Sequence, residues 1–283
     1  MRTGLPAKAG SPRARARRRF WIGLGRGFGG ALVFSLPILM SAQMWSLGVE
    51  AGRLRLLLFL LLSVPLLVGL SHYSGLRPTA GWLGDAADAM TALLIGFLAA
   101  AVILLIFGVI TVSMAPRNIV GKVGLEAVPA ALGAVLADSQ FGESPQKRAR
   151  KAAVGYAGQL FLMLAGALYL ALSVAPTRAM ELIAFKMNDL RAEILAVLSI
   201  VLLHAFVYRL RFQGQPEPNA ATPGWSLFLR FTLVGYAIAL LISAYALWTF
   251  GRFQGNGLAV TLTEAIALAF PAAVGAAAAR LLL

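Results

Sequence analysis

Long apolar stretches separated by short polar segments run through most of this chain. A helix needs about 20 residues to cross a hydrocarbon core roughly 30 Å thick. The pattern therefore predicts an all-α polytopic membrane protein with eight transmembrane helices, at residues 28–49, 54–70, 89–112, 119–137, 154–174, 194–210, 225–250 and 258–282. The fourth stretch is the least apolar, because Lys122, Glu126 and Pro129 lie within it. A re-entrant segment is the alternative for that stretch.

Landmark residues recur in the same order in the two halves of the chain. The segment Pro-Ala-Ala-Leu-Gly-Ala-Val-Leu-Ala at 129–137 returns, 142 residues later, as Pro-Ala-Ala-Val-Gly-Ala-Ala-Ala-Ala at 271–279. Phe107-Gly108 likewise returns as Phe250-Gly251, 143 residues later. We interpret these pairs as a duplication into two tandem four-helix repeats. Since four spans are an even number, both repeats enter the membrane in the same orientation, and their interface is a natural place for a site.

The polar segments divide the chain further. The first 26 residues carry eight Lys and Arg and no acid, which predicts a disordered cytosolic arm that binds anionic lipid headgroups. Two short segments, 79–90 and 177–193, are interpreted as interfacial, the second as an amphipathic helix. The predicted division is a basic arm at 1–26, a first repeat at 27–137, a charged cytosolic linker at 138–151 and a second repeat at 152–283.

Composition and charge agree with a membrane protein and indicate its topology. Hydrophobic residues make up 59% of the chain and charged residues 13%, and the mean hydropathy is +0.80, outside the range of soluble domains. With eight spans, 17 of the 25 Lys and Arg fall on the side of the N-terminus. This excess predicts that both termini are cytoplasmic. The net charge of +14 therefore follows from topology and does not indicate nucleic-acid binding.

The sequence contains no recognisable catalytic motif. The chain has no cysteine, which excludes disulfides, thiolate metal sites and cysteine nucleophiles. His72 and His204 lie at the ends of the second and sixth predicted spans, with no carboxylate or thiol at ligand spacing, and we interpret them as interfacial anchors. We expect the protein not to be an enzyme, and we expect neither a cofactor nor a metal site.

Two acidic residues within predicted spans are the candidate site. Glu126 and Glu264 lie three and seven residues before the equivalent prolines Pro129 and Pro271, one helical turn apart. Both carboxylates therefore project from nearly the same face of equivalent helices. A carboxylate in hydrocarbon costs several kcal/mol unless it is paired or hydrated. We hypothesise that Glu264 and Glu126 contact a cation or a proton near the outer mouth of a pathway between the halves.

A purely structural role is the alternative for each acid. Lys122 precedes Glu126 by four residues, a spacing that allows an ion pair on one helix face. Glu264 could cap its helix or bond Thr261 or Thr263. Pro129 and Pro271 are interpreted as helix kinks, which each free a carbonyl one turn earlier. Small residues such as those at 121–124 allow close helix packing, within the chain or in a homo-oligomer.

The segment Arg26-Gly-Phe-Gly-Gly-Ala-Leu, followed by Leu36-Pro37 and Met44-Trp45, and the later Leu125-Glu-Ala-Val-Pro129 resemble a bacterial family of uncharacterised integral membrane proteins. The resemblance covers most of the chain from Arg26 onward and implies no activity. The Ala-, Leu- and Arg-rich composition is compatible with a GC-rich bacterium, which supports placement in the bacterial inner membrane. Our hypothesis is a transporter or channel for a small cation or proton. The alternative is a non-transporting scaffold or sensor that acts through the basic arm and loops.

Overall fold

Helices joined by short turns make up the residues that the computed structural model describes, which are 12–74, 81–141, 154–208 and 224–282. The helices of the N-terminal part are α1 (Pro12–Leu39), α2 (Ala42–Glu50), α3 (Arg53–Ser74), α4 (Trp82–Ile106) and α5 (Pro116–Phe141). Those of the C-terminal part are α6 (Tyr156–Val174), α7 (Arg178–Lys186), α8 (Asp189–Tyr208), α9 (Gly224–Leu227), a π-helix (Phe228–Leu233), α10 (Val234–Thr249) and α11 (Leu258–Leu282).

Seven helical segments of the described chain are long and apolar enough to cross a membrane. They are Trp21–Leu39, Arg53–Tyr73, Trp82–Ile106, Pro116–Leu136, Tyr156–Val174, Phe228–Thr249 and Leu258–Arg280. The expectation of a polytopic all-α membrane protein is therefore confirmed, with about seven candidate spans where we expected eight. The doubtful fourth stretch is one of the seven.

The sixth expected span, at 194–210, corresponds to α8, which is not among the seven candidates. Asp189, Arg191 and Glu193 lie in the first five residues of this 20-residue helix. The apolar part that follows is shorter than the roughly 20 residues that a bilayer requires. The last two residues of the expected span lie outside the described residues.

Span boundaries also differ from the expectation. The first span lies at Trp21–Leu39 and not at 28–49, because the chain turns at Met40 and starts a separate helix at Ala42. The third span begins at Trp82, and it absorbs most of the segment 79–90 that we took to be interfacial. Residues 12–26 of the basic arm are helical and continuous with the first span, so that part is not disordered as predicted; residues 1–11 lie outside the described chain.

Two helices occupy the centres of the two bundles. α5 packs most extensively against α1 and α4 and also contacts α2 and α3, while α11 packs against α6, α8, α10 and α7. Alanine and glycine line both central helices and allow the neighbouring backbones to approach closely. A side chain added at Gly133 would lie 3.1 Å from the carbonyl oxygen of Gly30 in α1. In the second bundle, Gly275 of α11 and Gly166 of α6 meet in the same way, each against the carbonyl group of the other.

Helix ends meet at two opposite faces of the molecule. At one, the Nδ1 atom of His72 at the end of α3 lies 2.8 Å from Oδ2 of Asp85 in α4, and Nδ1 of His204 in α8 lies 2.9 Å from Oγ1 of Thr232 in the π-helix. Tyr73, next to His72, packs on Phe161 near the start of α6. Tyr156, the first residue of α6, packs on Phe231 beside Thr232, so both histidines lie on one face. We call this the histidine face and the other the opposite face.

The opposite face contains two turns with the same backbone hydrogen bonds. After α4, the N–H groups of residues 107–109 donate to the carbonyls of residues 103, 105 and 104 over 2.9–3.0 Å. After α10, the N–H groups of residues 250–252 donate to those of residues 246, 248 and 247 over 2.9–3.1 Å. Gly108 and Gly251 have φ angles of 69° and 77°, a conformation that ends helices at low cost only with glycine.

Candidate functional site

Glu126 is completely buried in α5, with 0% of its surface exposed. Neither carboxyl oxygen has a hydrogen-bond partner among the described residues. The expected alternative, an ion pair with Lys122, is wrong: the Nζ atom of Lys122 instead donates to the carbonyl oxygen of Val109, 2.9 Å away. The aliphatic part of the Lys122 side chain extends toward the opposite face, so its ammonium group reaches the backbone of the turn after α4. Glu126 is left as a carboxyl group in an apolar interior.

The position of Glu126 on α5 directs it toward α1. It precedes Gly133 by seven residues, about two helical turns, so both lie on nearly the same face of α5. A side chain at Gly133 would lie 2.8 Å from Cβ of Phe34 in α1. α1 contains Pro37, which has no N–H and cannot donate to the carbonyl of Val33. The buried carboxyl group of Glu126 and the Val33 carbonyl, which lacks its helical N–H donor, therefore lie along the same pair of helices.

Glu264 lies near the opposite face and has partners. Its Oε1 atom accepts a hydrogen bond from Nδ2 of Asn256 over 3.4 Å, and 7% of the residue is exposed. Thr263 bonds the carbonyl of Ala259, so it does not serve as the partner we considered for Glu264. The guanidinium group of Arg252 is close enough for its charge to act on Glu264.

Arg252 organises the polar groups around Glu264. It forms an ion pair with Glu181 of α7, and its Nη2 atom donates to the carbonyl of Pro176 over 3.1 Å. Burial lowers the pKa of Arg252, while the negative charges of Glu264 and Glu50 act in the opposite direction. Because Glu50 belongs to α2, the electrostatic environment of Arg252 includes both bundles.

The two acids do not meet. Glu264 precedes Gly275 by eleven residues, about three turns, so it lies on the face of α11 that packs on α6. Glu126 lies on the face of α5 that packs on α1. No hydrogen bond or ion pair in the described part of the chain joins them. Each acid therefore belongs to its own bundle.

The interface between the bundles contains aromatic and cationic contacts. The hydroxyl of Tyr169 in α6 donates to the carbonyl oxygen of Phe34 in α1, and the two rings meet edge to face at 6.2 Å. Near the opposite face, the guanidinium carbon of Arg55 lies 5.7 Å from the ring centroid of Trp248. These contacts fix the two bundles side by side.

Pro129 and Pro271 both lie inside continuous helices, α5 and α11. Each removes one backbone donor, so the carbonyls of Leu125 and Ala267 lose their usual helical partners. Leu125 is the immediate neighbour of Glu126. Pro129 therefore leaves a carbonyl oxygen without its helical hydrogen bond next to the buried carboxyl group of Glu126.

Sequence reasoning missed a second pair of buried acids at the histidine face. Asp85 and Asp88 are each 2% exposed, on the buried face of α4, and Asp85 bonds His72, which stacks on Trp82 at 5.2 Å. Our expectation that no carboxylate lies near His72 is therefore wrong, because the partner is 13 residues away on the next helix. The only signal was two acids three residues apart at the start of an apolar stretch.

Nothing in the described ranges resembles a metal centre, since no three or more His, Asp or Glu side chains converge there.

A family model described as "Putative integral membrane protein (DUF2391)" matches residues 23–283. The comparison with curated proteins finds no match, and neither does the comparison with solved structures.

Proposed function

The chain belongs to this family of integral membrane proteins, and from that premise we propose that it is a transporter or channel for a proton or small cation. The observation that carries the proposal is Glu126, a fully buried carboxyl group without a partner among the described residues. An ionised carboxylate there would cost several kcal/mol, so the group favours a bound proton or a bound cation. Acids kept inside membrane bundles commonly mark such pathways.

We further propose that α8 is an eighth span. The hydroxyl of Tyr156 at the start of α6 donates to the carbonyl of Arg230 over 2.8 Å, so α6 and the Phe228–Thr249 span begin at one face. Arg252 donates to Pro176, so these two spans also end at one face. The chain between them must therefore return across the membrane, and α8 is the long helix available.

Eight spans also make the tandem repeat a consistent proposal. α1, α3, α4 and α5 would correspond to α6, α8, the π-helix with α10, and α11. Three pairs of contacts support the match: His72–Asp85 with His204–Thr232, Gly133–Gly30 with Gly275–Gly166, and the turns at Gly108 and Gly251. Under this correspondence, Glu126 is matched by the buried Leu268 and Glu264 by Lys122.

Single-cysteine labelling tests the eighth span directly, because the native chain has no cysteine. Asn188→Cys, between α7 and α8, is expected to react with an impermeant maleimide added outside intact cells. Gln215→Cys, beyond the end of α8, is expected to react only after the membrane is opened. Labelling of both positions from the same side would contradict the proposal.

In the proposed pathway, Glu126 binds the transported species inside the first bundle, and Glu264 lies near the outer mouth. Pro129 and Pro271 leave carbonyls free beside these positions. The histidine face is cytoplasmic in this proposal, as are both termini, and the bacterial inner membrane is the location. We propose no catalytic activity, cofactor or metal.

Ion flux into liposomes that contain the purified protein tests the function. We expect flux of H⁺, Na⁺ or K⁺ by the wild type. In Glu126→Gln/Glu264→Gln, flux falls by tenfold or more, because the amide cannot exchange a proton or neutralise a cation. The two single variants show which acid causes the loss of flux, and Glu126→Gln is expected to account for most of that loss. Undiminished flux in the double variant would remove both acids from the pathway.

A scaffold that acts through the basic arm is the second candidate. The observation that favours it is the continuous helix from Pro12 to Leu39, which joins the arginines at 13–19 to the first span. Absence of flux in the wild type, together with loss of cellular function on deletion of residues 1–25, would favour this candidate.

A further inference from the structure

Two arginines and two aromatic rings form a stacked group at the histidine face of the second bundle. The guanidinium carbon of Arg280 lies 4.0 Å from the ring centroid of Phe231, and that of Arg230 lies 5.5 Å from the centroid of Tyr156. The two rings meet edge to face at 5.1 Å. The hydroxyl of Tyr156 donates to the carbonyl oxygen of Arg230 over 2.8 Å, which ties α6 to the π-helix.

From this geometry we propose that Arg230 and Arg280 bind the phosphate group of an anionic phospholipid. A guanidinium group stacked on a ring keeps its N–H groups in its own plane, where they can donate two parallel hydrogen bonds to phosphate oxygens. Stacking also restricts the side chain before the ligand arrives, which lowers the entropic cost of binding. Arg230 is exposed and forms no ion pair with any described residue.

The distribution of charge in the second bundle fits an anionic ligand. Its described acids are Glu181, Asp189, Glu193 and Glu264, and all four lie in α7 or in the first turns of α8 and α11, toward the opposite face. These four acids therefore lie away from the stacked arginines, an arrangement that favours an anionic headgroup at this face.

The depth of the group favours a lipid over a soluble phosphate. Tyr156 is the first residue of one candidate span, Arg230 is the third of another, and Arg280 is the last of a third. The ends of spans lie at the level of the headgroups, where Tyr and Arg are common anchors. A phosphate group at this depth is that of a phospholipid in the same leaflet.

Native mass spectrometry tests this site. It measures the binding of phosphatidylglycerol and of phosphatidylcholine to the delipidated full-length protein. We expect the wild type to bind phosphatidylglycerol more tightly. Arg230→Gln/Arg280→Gln is expected to weaken that binding by about tenfold or more. Arg178→Gln removes an exposed arginine from α7 at the opposite face and is expected to leave binding unchanged. This result does not depend on transport, so it can hold or fail separately from ion flux.

Three results would overturn the proposal. They are equal binding of phosphatidylglycerol by the wild type and the glutamine double variant, an equal loss in Arg178→Gln, and displacement of the lipid by millimolar inorganic phosphate. If the glutamine double variant does not fold, Arg230→Lys/Arg280→Lys replaces it. Lysine keeps the charge but lacks the planar fork, so we expect an intermediate affinity. Unchanged affinity in the lysine variant would contradict a role for guanidinium geometry.

Discussion

Gly275→Val is expected to prevent stable folding of the second bundle. Gly275 of α11 and Gly166 of α6 approach so closely that a Cβ atom at either position would meet the carbonyl oxygen of the other. Both obstacles are helical backbone, which cannot rotate away as a side chain can. α11 is the central helix of its bundle, so a shift away from α6 would also disturb its packing on α8 and α10.

The loss of stability expected for Gly275→Val follows from the close contact between Gly275 and Gly166. Overpacking of a well-filled core costs about 1–3 kcal/mol when side chains can adjust, and we expect a loss at or above the upper end here. The measurement is the temperature at which the detergent-solubilised protein loses its monodisperse elution peak. We expect Gly275→Val to elute as aggregate, or to lose its peak far below the wild-type temperature.

Gly29→Val is the matched control for that experiment. Gly29 also lies inside a helix, α1, but apart from the neighbouring backbone of α1 itself no atom lies within 4 Å of a Cβ added there. The same glycine-to-valine change should therefore alter stability little. A wild-type elution profile for Gly275→Val would show that α6 and α11 do not pack as closely as described.

The sequence predicted some of these features because their signals are local. Apolar stretches about 20 residues long predict spans whatever surrounds them, and the described part of the chain contains seven candidate spans. Pro129 and Gly133 share their spacing with Pro271 and Gly275, so the pattern singled out the glycines that contact α1 and α6. The boundaries were less predictable: Asp85 lies inside α4, where tertiary packing supplies His72 as its partner, and the local sequence does not show that partner.

Interactions between helices were the part that sequence spacing could not determine. Lys122 and Glu126 have the spacing of an ion pair, yet Lys122 bonds the turn after α4 because that carbonyl lies within its reach. The structural alternative for Glu264 was a helix cap or a bond to Thr261 or Thr263, yet its hydrogen-bond partner is Asn256 from the preceding turn. In each case the observed partner belongs to a loop after α4 or α10, and the packing of that helix determines where the loop lies.

Glu126→Leu is expected to stabilise the protein while it removes the proposed pathway. A buried polar group without a hydrogen bond costs about 1–3 kcal/mol, and leucine of similar volume would recover apolar contacts there. The proposed equivalent position in the second bundle, Leu268, is itself a completely buried leucine. The substitution therefore gives the first bundle the residue that the second already accommodates.

The reverse substitution, Leu268→Glu, is the matched control. It places a carboxyl group in the completely buried site of a leucine, and we expect it to lower the unfolding temperature. Both variants are measured by thermal loss of the monodisperse peak, and flux is recorded on the same preparations. A gain in stability with a loss of flux for Glu126→Leu would indicate that function, and not folding, retains this acid. A loss of stability in Glu126→Leu would instead mean that its carboxyl group has a stabilising partner, such as a bound cation or water, and that the acid holds the bundle together.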